Sequence, residues 1–130
     1  MKIQVCYRGK EAENDILELA VKHAKAFEGT VLLVTSMRGG EEVELKEFTR
    51  AEAKLENAKE FFEQQGVKIE IKLLERGLSA GEDLVNFSKE SMVDEIIIGV
   101  RKRSKVGKFV FGSTAQFVIL EASCPVISVK

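Results

Sequence analysis

The stretch Asp94-Glu95-Ile96-Ile97-Ile98-Gly99-Val100 decides the fold. Its apolar residues follow one another without alternation, so it predicts a strand that is buried on both faces. The stretch Thr30-Val31-Leu32-Leu33-Val34-Thr35 has the same character. Strands covered on both sides are typical of parallel sheets, because crossover connections place helices over the two faces. We therefore expect an α/β protein.

Segments with helical periodicity alternate with the strands along the chain. Apolar residues recur every three or four positions after Asn14, from Glu42 to Gln65, after Ser79 and after Gly112. The alternation predicts one domain over residues 1–130: an open five-stranded parallel sheet of the flavodoxin or Rossmann-like kind, with strand order 3-2-1-4-5 and helices on both faces. A ligand of such a sheet binds outside the carboxyl ends of the strands.

The composition excludes several kinds of site. Lys and Arg number 20 against 21 Asp and Glu, so the net charge of -1 gives no general attraction to nucleic acid or an anionic membrane. No apolar run approaches the ~18 residues of a membrane span, and no secretory signal opens the chain, so we expect a cytoplasmic protein. The single histidine, His23, falls within a predicted helix, and we expect neither a metal site nor a catalytic residue. Cys6 and Cys124 fall toward opposite ends of the sheet and should stay unpaired.

The segment from Gly99 to Ser113 contains the features of an anion site. A buried strand ends at Gly99, a loop rich in Lys and Arg follows, and Gly112-Ser113-Thr114 opens a helix. The backbone N–H groups of a helix start carry partial positive charge, and a glycine there lets a phosphate approach closely. The alternative is that Ser113 only caps the helix and the basic loop is only solvated. The residues alone leave both interpretations open.

With these residues the chain resembles the universal stress protein family. Its ATP-binding members carry a Gly, two residues, a Gly, nine residues, and then Gly with Ser or Thr. Here Gly99 is the first position, Lys102 stands at the second, and Gly112-Ser113 closes the motif, while Ala122–Val129 is similar to the family's last strand. The resemblance implies that an adenine nucleotide, ATP first and with or without Mg²⁺, lies against Arg8, Thr35, Gly99, Arg101, Lys102, Gly112, Ser113 and Thr114.

Two departures from the family pattern leave a second function open. The family usually has an Asp at the end of its first strand, where this chain has Arg8, and Lys102 replaces a glycine. An arginine cannot accept the hydrogen bonds that an aspartate would. The first hypothesis is a cytosolic nucleotide-binding regulator of the stress response, with slow ATP hydrolysis at most because no general base is evident. The second is a family member that acts without nucleotide, through dimerisation and protein partners.

The last predicted strand, Val126–Val129, suggests a homodimer. In the order 3-2-1-4-5 it is a sheet edge, it is almost wholly apolar, and only Lys130 offers a protecting charge. Two copies can pair across a twofold axis, and the family resemblance implies the same dimer. The basic loop is too small to predict nucleic-acid binding, and no sequence feature identifies a protein partner.

Overall fold

The computed structural model describes residues 1–10, 13–38, 45–103 and 109–130, with the backbone alone for 101–103 and 109–111. The described residues form, in chain order, β1 (Lys2–Cys6), α1 (Asn14–Phe27), β2 (Thr30–Met37), α2 (Leu45–Gln64), β3 (Lys68–Glu75), α3 (Ala80–Glu90), β4 (Glu95–Gly99), β5 (Arg101–Arg103), β6 (Phe109–Phe111), α4 (Ser113–Glu121) and β7 (Val126–Val129). The part of the long second helix predicted at 42–44 lies outside the described residues.

A five-stranded parallel sheet organises the molecule. Its order is β3-β2-β1-β4-β7, so the predicted order 3-2-1-4-5 is confirmed, with β7 as the fifth strand. The central strand β1 pairs with β2 and β4, and Val5 lies between Leu33 and Ile97 in register. All five strands therefore end at the same edge, and the loops that follow β1, β2 and β4 meet there.

Alternation along β1 divides the core into two layers. Ile3 and Val5 face α1 and α2 and belong to one apolar cluster with Phe62. Cys6 faces the other way, toward α3 and α4, in a cluster with Leu84. Both faces of the sheet are covered by helices, as the uninterrupted apolar strands predict.

The basic segment after β4 differs from its prediction as a loop. Residues 101–103 pair with 109–111 in an antiparallel two-stranded ribbon, which leaves the main sheet after β4 and returns to the start of α4. The chain from 104 to 108 lies outside the described residues. Phe109-Val110-Phe111 consists of residue types enriched in strands, which is the local preference that the charge-based interpretation overlooked.

Within the described ranges, no helix combines the length and the apolar composition that crossing a membrane requires. Ser79 caps the N-terminus of α3, as the sequence predicts: the backbone N–H of Glu82 donates to Ser79 Oγ at 3.5 Å. The Glu82 carboxylate accepts from the Ser79 hydroxyl at 3.0 Å, whereas in a full capping box it would accept from the Ser79 backbone N–H.

A close contact between α3 and α4 makes Gly81 a test of the packing. A Cβ on Gly81 would lie 2.9 Å from Phe117 Cβ, which cannot move without moving α4. Overpacking of this kind costs about 1–3 kcal/mol, whereas Gly→Ala gains about 1 kcal/mol of helix propensity. We therefore expect Gly81→Ala to lower the free energy of unfolding in urea.

Asn86→Ala is the matched control, because Asn86 lies on the exposed side of the same helix. It should leave the free energy of unfolding equal or higher. A Gly81→Ala variant more stable than the parent by the full gain in helix propensity, about 1 kcal/mol, would show that α3 and α4 can separate without cost.

Candidate functional site

A pocket of about 190 Å³ lies at the carboxyl edge of the sheet. The ends of β1, β2 and β4 form its floor, and the first turns of α3 and α4 form its walls. Its lining contains five of the eight residues predicted for the site, namely Arg8, Gly99, Gly112, Ser113 and Thr114. Cys6, Tyr7, Glu13, Val34, Ser36, Ala80, Leu84, Ile98, Val100 and Ala115 complete it.

The N-terminus of α4 gives the pocket an anion-binding wall. Gly112 is the N-cap, with φ -69°, and no described side chain accepts a hydrogen bond from the first turn. The N–H groups at the start of such a helix have no partner within the helix and carry the positive end of its dipole. A Cβ on Gly112 would meet no described atom within 4 Å, so this backbone faces open space.

Gly99 lets α1 approach the end of β4. A Cβ at this position would lie 2.8 Å from Ile16 Cδ1. The glycine therefore leaves room for the tip of the Ile16 side chain at the end of β4, in addition to its place in the pocket lining.

Glu13 is a buried carboxylate that the sequence analysis missed. It is 5% exposed, at the N-cap position of α1. Its Oε2 accepts the backbone N–H of Arg8 at 2.8 Å. Its Oε1 has no hydrogen-bond partner among the described residues and lies 3.7 Å from Arg8 Nε. Because a buried acceptor without a donor is costly, this oxygen is available to a ligand.

Glu13 also influences its neighbour Tyr7. Burial, and then the negative charge of Glu13, raise the pKa of the Tyr7 hydroxyl above its ordinary value. Tyr7 therefore stays neutral around pH 7. In the sequence nothing separates Glu13 from the other acidic residues around it, and the family pattern directed attention to position 8.

A second buried carboxylate, Asp83, stands behind the wall formed by α3. It is fully buried, and its Oδ2 accepts the hydroxyl of Ser36 at 2.7 Å. Its Oδ1 accepts Arg76 Nε, and its backbone carbonyl accepts Arg76 Nη2 at 3.1 Å. Arg76 Nη1 also donates to Glu90 at 2.7 Å. This network fixes the orientation of Ser36, which lines the pocket.

The remaining predicted site residues have other places. The side chain of Thr35 lies on the opposite face of β2 from those of Val34 and Ser36, which line the pocket. Its hydroxyl donates to the Tyr7 carbonyl at 2.7 Å. It thus ties β2 to the end of β1. The side chain of Arg8 is 62% exposed beside the pocket. Arg101 and Lys102 belong to β5, beside Val100 of the lining, and their side chains lie outside the described residues.

Within the described ranges, no three His, Cys, Asp or Glu side chains are grouped to hold a metal ion. His23 Nδ1 lies 2.8 Å from Glu95 Oε1, at the amino-terminal end of β4 and therefore at the opposite edge of the sheet. Both cysteines are free, as predicted.

Cys6, on the floor of the pocket, should be unreactive. Burial raises its pKa from 9.0 to about 12, so the thiolate is scarce at pH 8. We expect iodoacetamide at pH 8 to alkylate the half-buried Cys124 first and to leave Cys6 unmodified until the protein is unfolded. Peptide mass spectrometry measures both sites.

Labelling in urea is the control, because both thiols must react once burial is lost. Raising the pH toward 12 should increase the alkylation of Cys6, since its thiolate fraction rises through that pKa. Equal rates for Cys6 and Cys124 in the folded protein at pH 8 would contradict the burial of Cys6.

The chain belongs to the universal stress protein family, whose model matches residues 1–130. A universal stress protein from Archaeoglobus fulgidus is 35% identical, with a TM-score of 0.93 over 100% of this chain and 98% of that one. Another structure from Archaeoglobus fulgidus, in complex with dAMP, is 31% identical, with a TM-score of 0.88 and coverage of 100% and 98%. A universal stress protein from Mycolicibacterium smegmatis is 29% identical over 114 residues, 88% of this chain and 85% of that protein.

Proposed function

We propose that this protein binds an adenine nucleotide at the pocket and acts as a stress-response regulator. The proposal rests on one observation: the pocket joins the uncapped N-terminus of α4 to the buried, half-satisfied carboxylate of Glu13. The N-terminus of α4 suits a phosphate, and the Glu13 carboxylate suits a hydrogen-bond donor such as a sugar hydroxyl. The relative from Archaeoglobus fulgidus solved with dAMP supports an adenine nucleotide. The reducing cytoplasm suits the two free cysteines.

The strand order suggests how the nucleotide lies. The phosphate end belongs at Gly112 and Ser113, beside the end of β4. Glu13 lies next to the end of β1, one strand further, and takes the sugar. The base then extends toward the end of β2. ATP is our first choice of ligand, with its outer phosphates reaching toward β5, and any Mg²⁺ would bind chiefly to those phosphates.

Gly112→Val tests whether the anion-binding wall of the pocket holds the phosphate. The structure leaves room for a side chain at this position, so the variant should fold, while its methyl groups occupy the space of the phosphate. Because one or two charge-assisted hydrogen bonds would be lost, we expect ATP and AMP to bind roughly tenfold more weakly, or worse, by titration calorimetry.

Gln116→Val is the control, since Gln116 is exposed one turn further along α4. It should leave the affinity unchanged. Equal affinity of Gly112→Val and the parent would refute this placement of the phosphate. A parent protein that binds neither ATP nor AMP would favour the alternative hypothesis, a family member that acts without nucleotide.

We also propose a homodimer through β7. Among the described residues, β7 pairs with β4 alone, and its own residues are half-buried or exposed. The nearby helix α4 leaves three large apolar side chains exposed, namely Phe117, Ile119 and Leu120, the last at 72%. An unpaired apolar strand edge favours pairing with a second copy over exposure to water, and exposed apolar side chains elsewhere on the same face of the sheet add to the apolar surface available for contact.

Ser128→Pro tests the strand pairing. The carbonyls of Pro125 and Val129 accept from the backbone N–H groups of Ile96 and Val100, so by alternation the N–H of Ser128 points to the free edge. Ser128→Pro removes that donor and spares the β4 ladder. We expect the parent to have twice the chain mass of 14.5 kDa in light scattering, and the variant to be a monomer.

Ser128→Ala is the control, because it keeps the N–H and should stay dimeric. A parent mass of one chain at micromolar concentration would contradict the dimer. A dimer that persists in Ser128→Pro would place the interface elsewhere.

A further inference from the structure

The hydroxyl of Ser36 is fixed by a buried ion pair that nucleotide binding at the phosphate end does not require. Asp83 holds it from behind, and Asp83 is in turn held by Arg76. Asp83 is fully buried and precedes two buried apolar residues of α3, Leu84 and Val85. A buried carboxylate in an apolar helix face is costly unless its hydrogen bonds are complete, so its position calls for an explanation in terms of what it orients.

The direction of the Ser36 hydrogen bond follows from the charges. Hydrogen bonds to Glu90 and Asp83 raise the pKa of Arg76 further, so this guanidinium remains charged. Asp83 beside it is a carboxylate that can only accept. Ser36 must therefore donate its single proton to Asp83 Oδ2, and its oxygen turns only lone pairs toward the pocket. Ser36 is an acceptor at this wall.

Ser36 lies where the base of a bound nucleotide would lie. From the end of β4, next to the start of α4, the strand order passes β1 and reaches β2. Two spacings between strands amount to about 10 Å. This is comparable to the reach of a nucleoside monophosphate from its phosphate to the substituent at the far edge of its base.

We propose that Ser36, oriented by Asp83, is the specificity-determining residue that selects a base with an exocyclic amine over one with an oxo group. The inference rests on the proposed nucleotide binding. An adenine 6-amino group donates to the Ser36 oxygen. The 6-oxo group of hypoxanthine would instead bring its lone pairs against those of Ser36, and both acceptors would stay unsatisfied. Asp83 is a positioning residue that does not itself contact the ligand.

The ratio of the affinities for AMP and inosine 5′-monophosphate tests the proposal, by titration calorimetry on the full chain. Ser36 is half-buried in the free protein, and a bound base would cover its oxygen. An unmade hydrogen bond to an acceptor covered in this way corresponds to roughly a ten- to hundredfold preference for AMP in the parent. Ser36→Ala should bring the ratio close to one, mainly by weakening AMP. Ser36→Thr keeps the hydroxyl and should keep the preference.

Ser113→Ala is the matched control at the phosphate end. It should weaken both nucleotides by the same factor and leave the ratio unchanged. An unchanged ratio in Ser36→Ala, with AMP still bound, would overturn the inference and leave the proposed function standing. A parent that binds neither nucleotide contradicts both.

Asp83→Asn gives a readout that a merely structural role would not produce. Arg76 Nε requires an acceptor, so the amide oxygen faces Arg76 and the amide nitrogen faces Ser36. Ser36 then accepts from that nitrogen and is free to donate into the pocket. We expect inosine 5′-monophosphate to bind more tightly than it binds the parent, and AMP more weakly. If this variant unfolds, as circular dichroism would show, Ser36→Ala decides alone; a folded variant that loses affinity for both nucleotides equally contradicts the orientation argument.

Discussion

The parallel pairing of β1 between β2 and β4 determines where everything else lies. Parallel strands cannot be joined by tight turns, so each connection crosses over a face of the sheet and returns to the opposite edge. The carboxyl ends of the strands are therefore brought together, along with the loops that leave them. Glu13, Ser36 and Gly99, which are far apart in sequence, line the same pocket for this reason alone. The register that pairs Val5 with Leu33 and with Ile97 aligns the carboxyl ends of β1, β2 and β4 along one edge of the sheet.

The two buried carboxylates near the pocket contrast in how well they are satisfied. Asp83 accepts hydrogen bonds on both oxygens, one of them from a charged guanidinium. Glu13 has one oxygen on a backbone N–H and the other without a partner among the described residues. Burial penalises both carboxylates, but among the described residues only Asp83 has hydrogen bonds on both oxygens that offset this cost. Asp83 therefore serves as an internal support, whereas Glu13 is suited to a ligand that donates a hydrogen bond to its second oxygen.

The sequence predicts the sheet well because apolar continuity is a local signal. The helix start at Gly112 and the cap at Ser79 follow from residues within one turn of each other, and the strand order follows from the alternation of strands and helices together with the crossover rules. The pairs Ser36–Asp83 and Arg8–Glu13 have no such signal, because an acidic residue before or within a helix looks like any solvated one. The choice between Thr35 and Ser36 is a further case. Neighbouring strand residues face opposite sides, so an error of one position moves the predicted side chain out of the pocket.

The geometry around Arg8 bears on the departure from the family pattern at that position. The side chain of Arg8 is mostly exposed, and its contribution inside the pocket is the backbone N–H that holds Glu13. Any residue except proline supplies that N–H. A carboxylate can therefore reach the pocket from the start of α1, where Glu13 lies, rather than from the end of β1. The site can thus contain a carboxylate acceptor although position 8 is an arginine. In the proposed nucleotide complex, Glu13 would therefore supply the acceptor that the family pattern places at position 8.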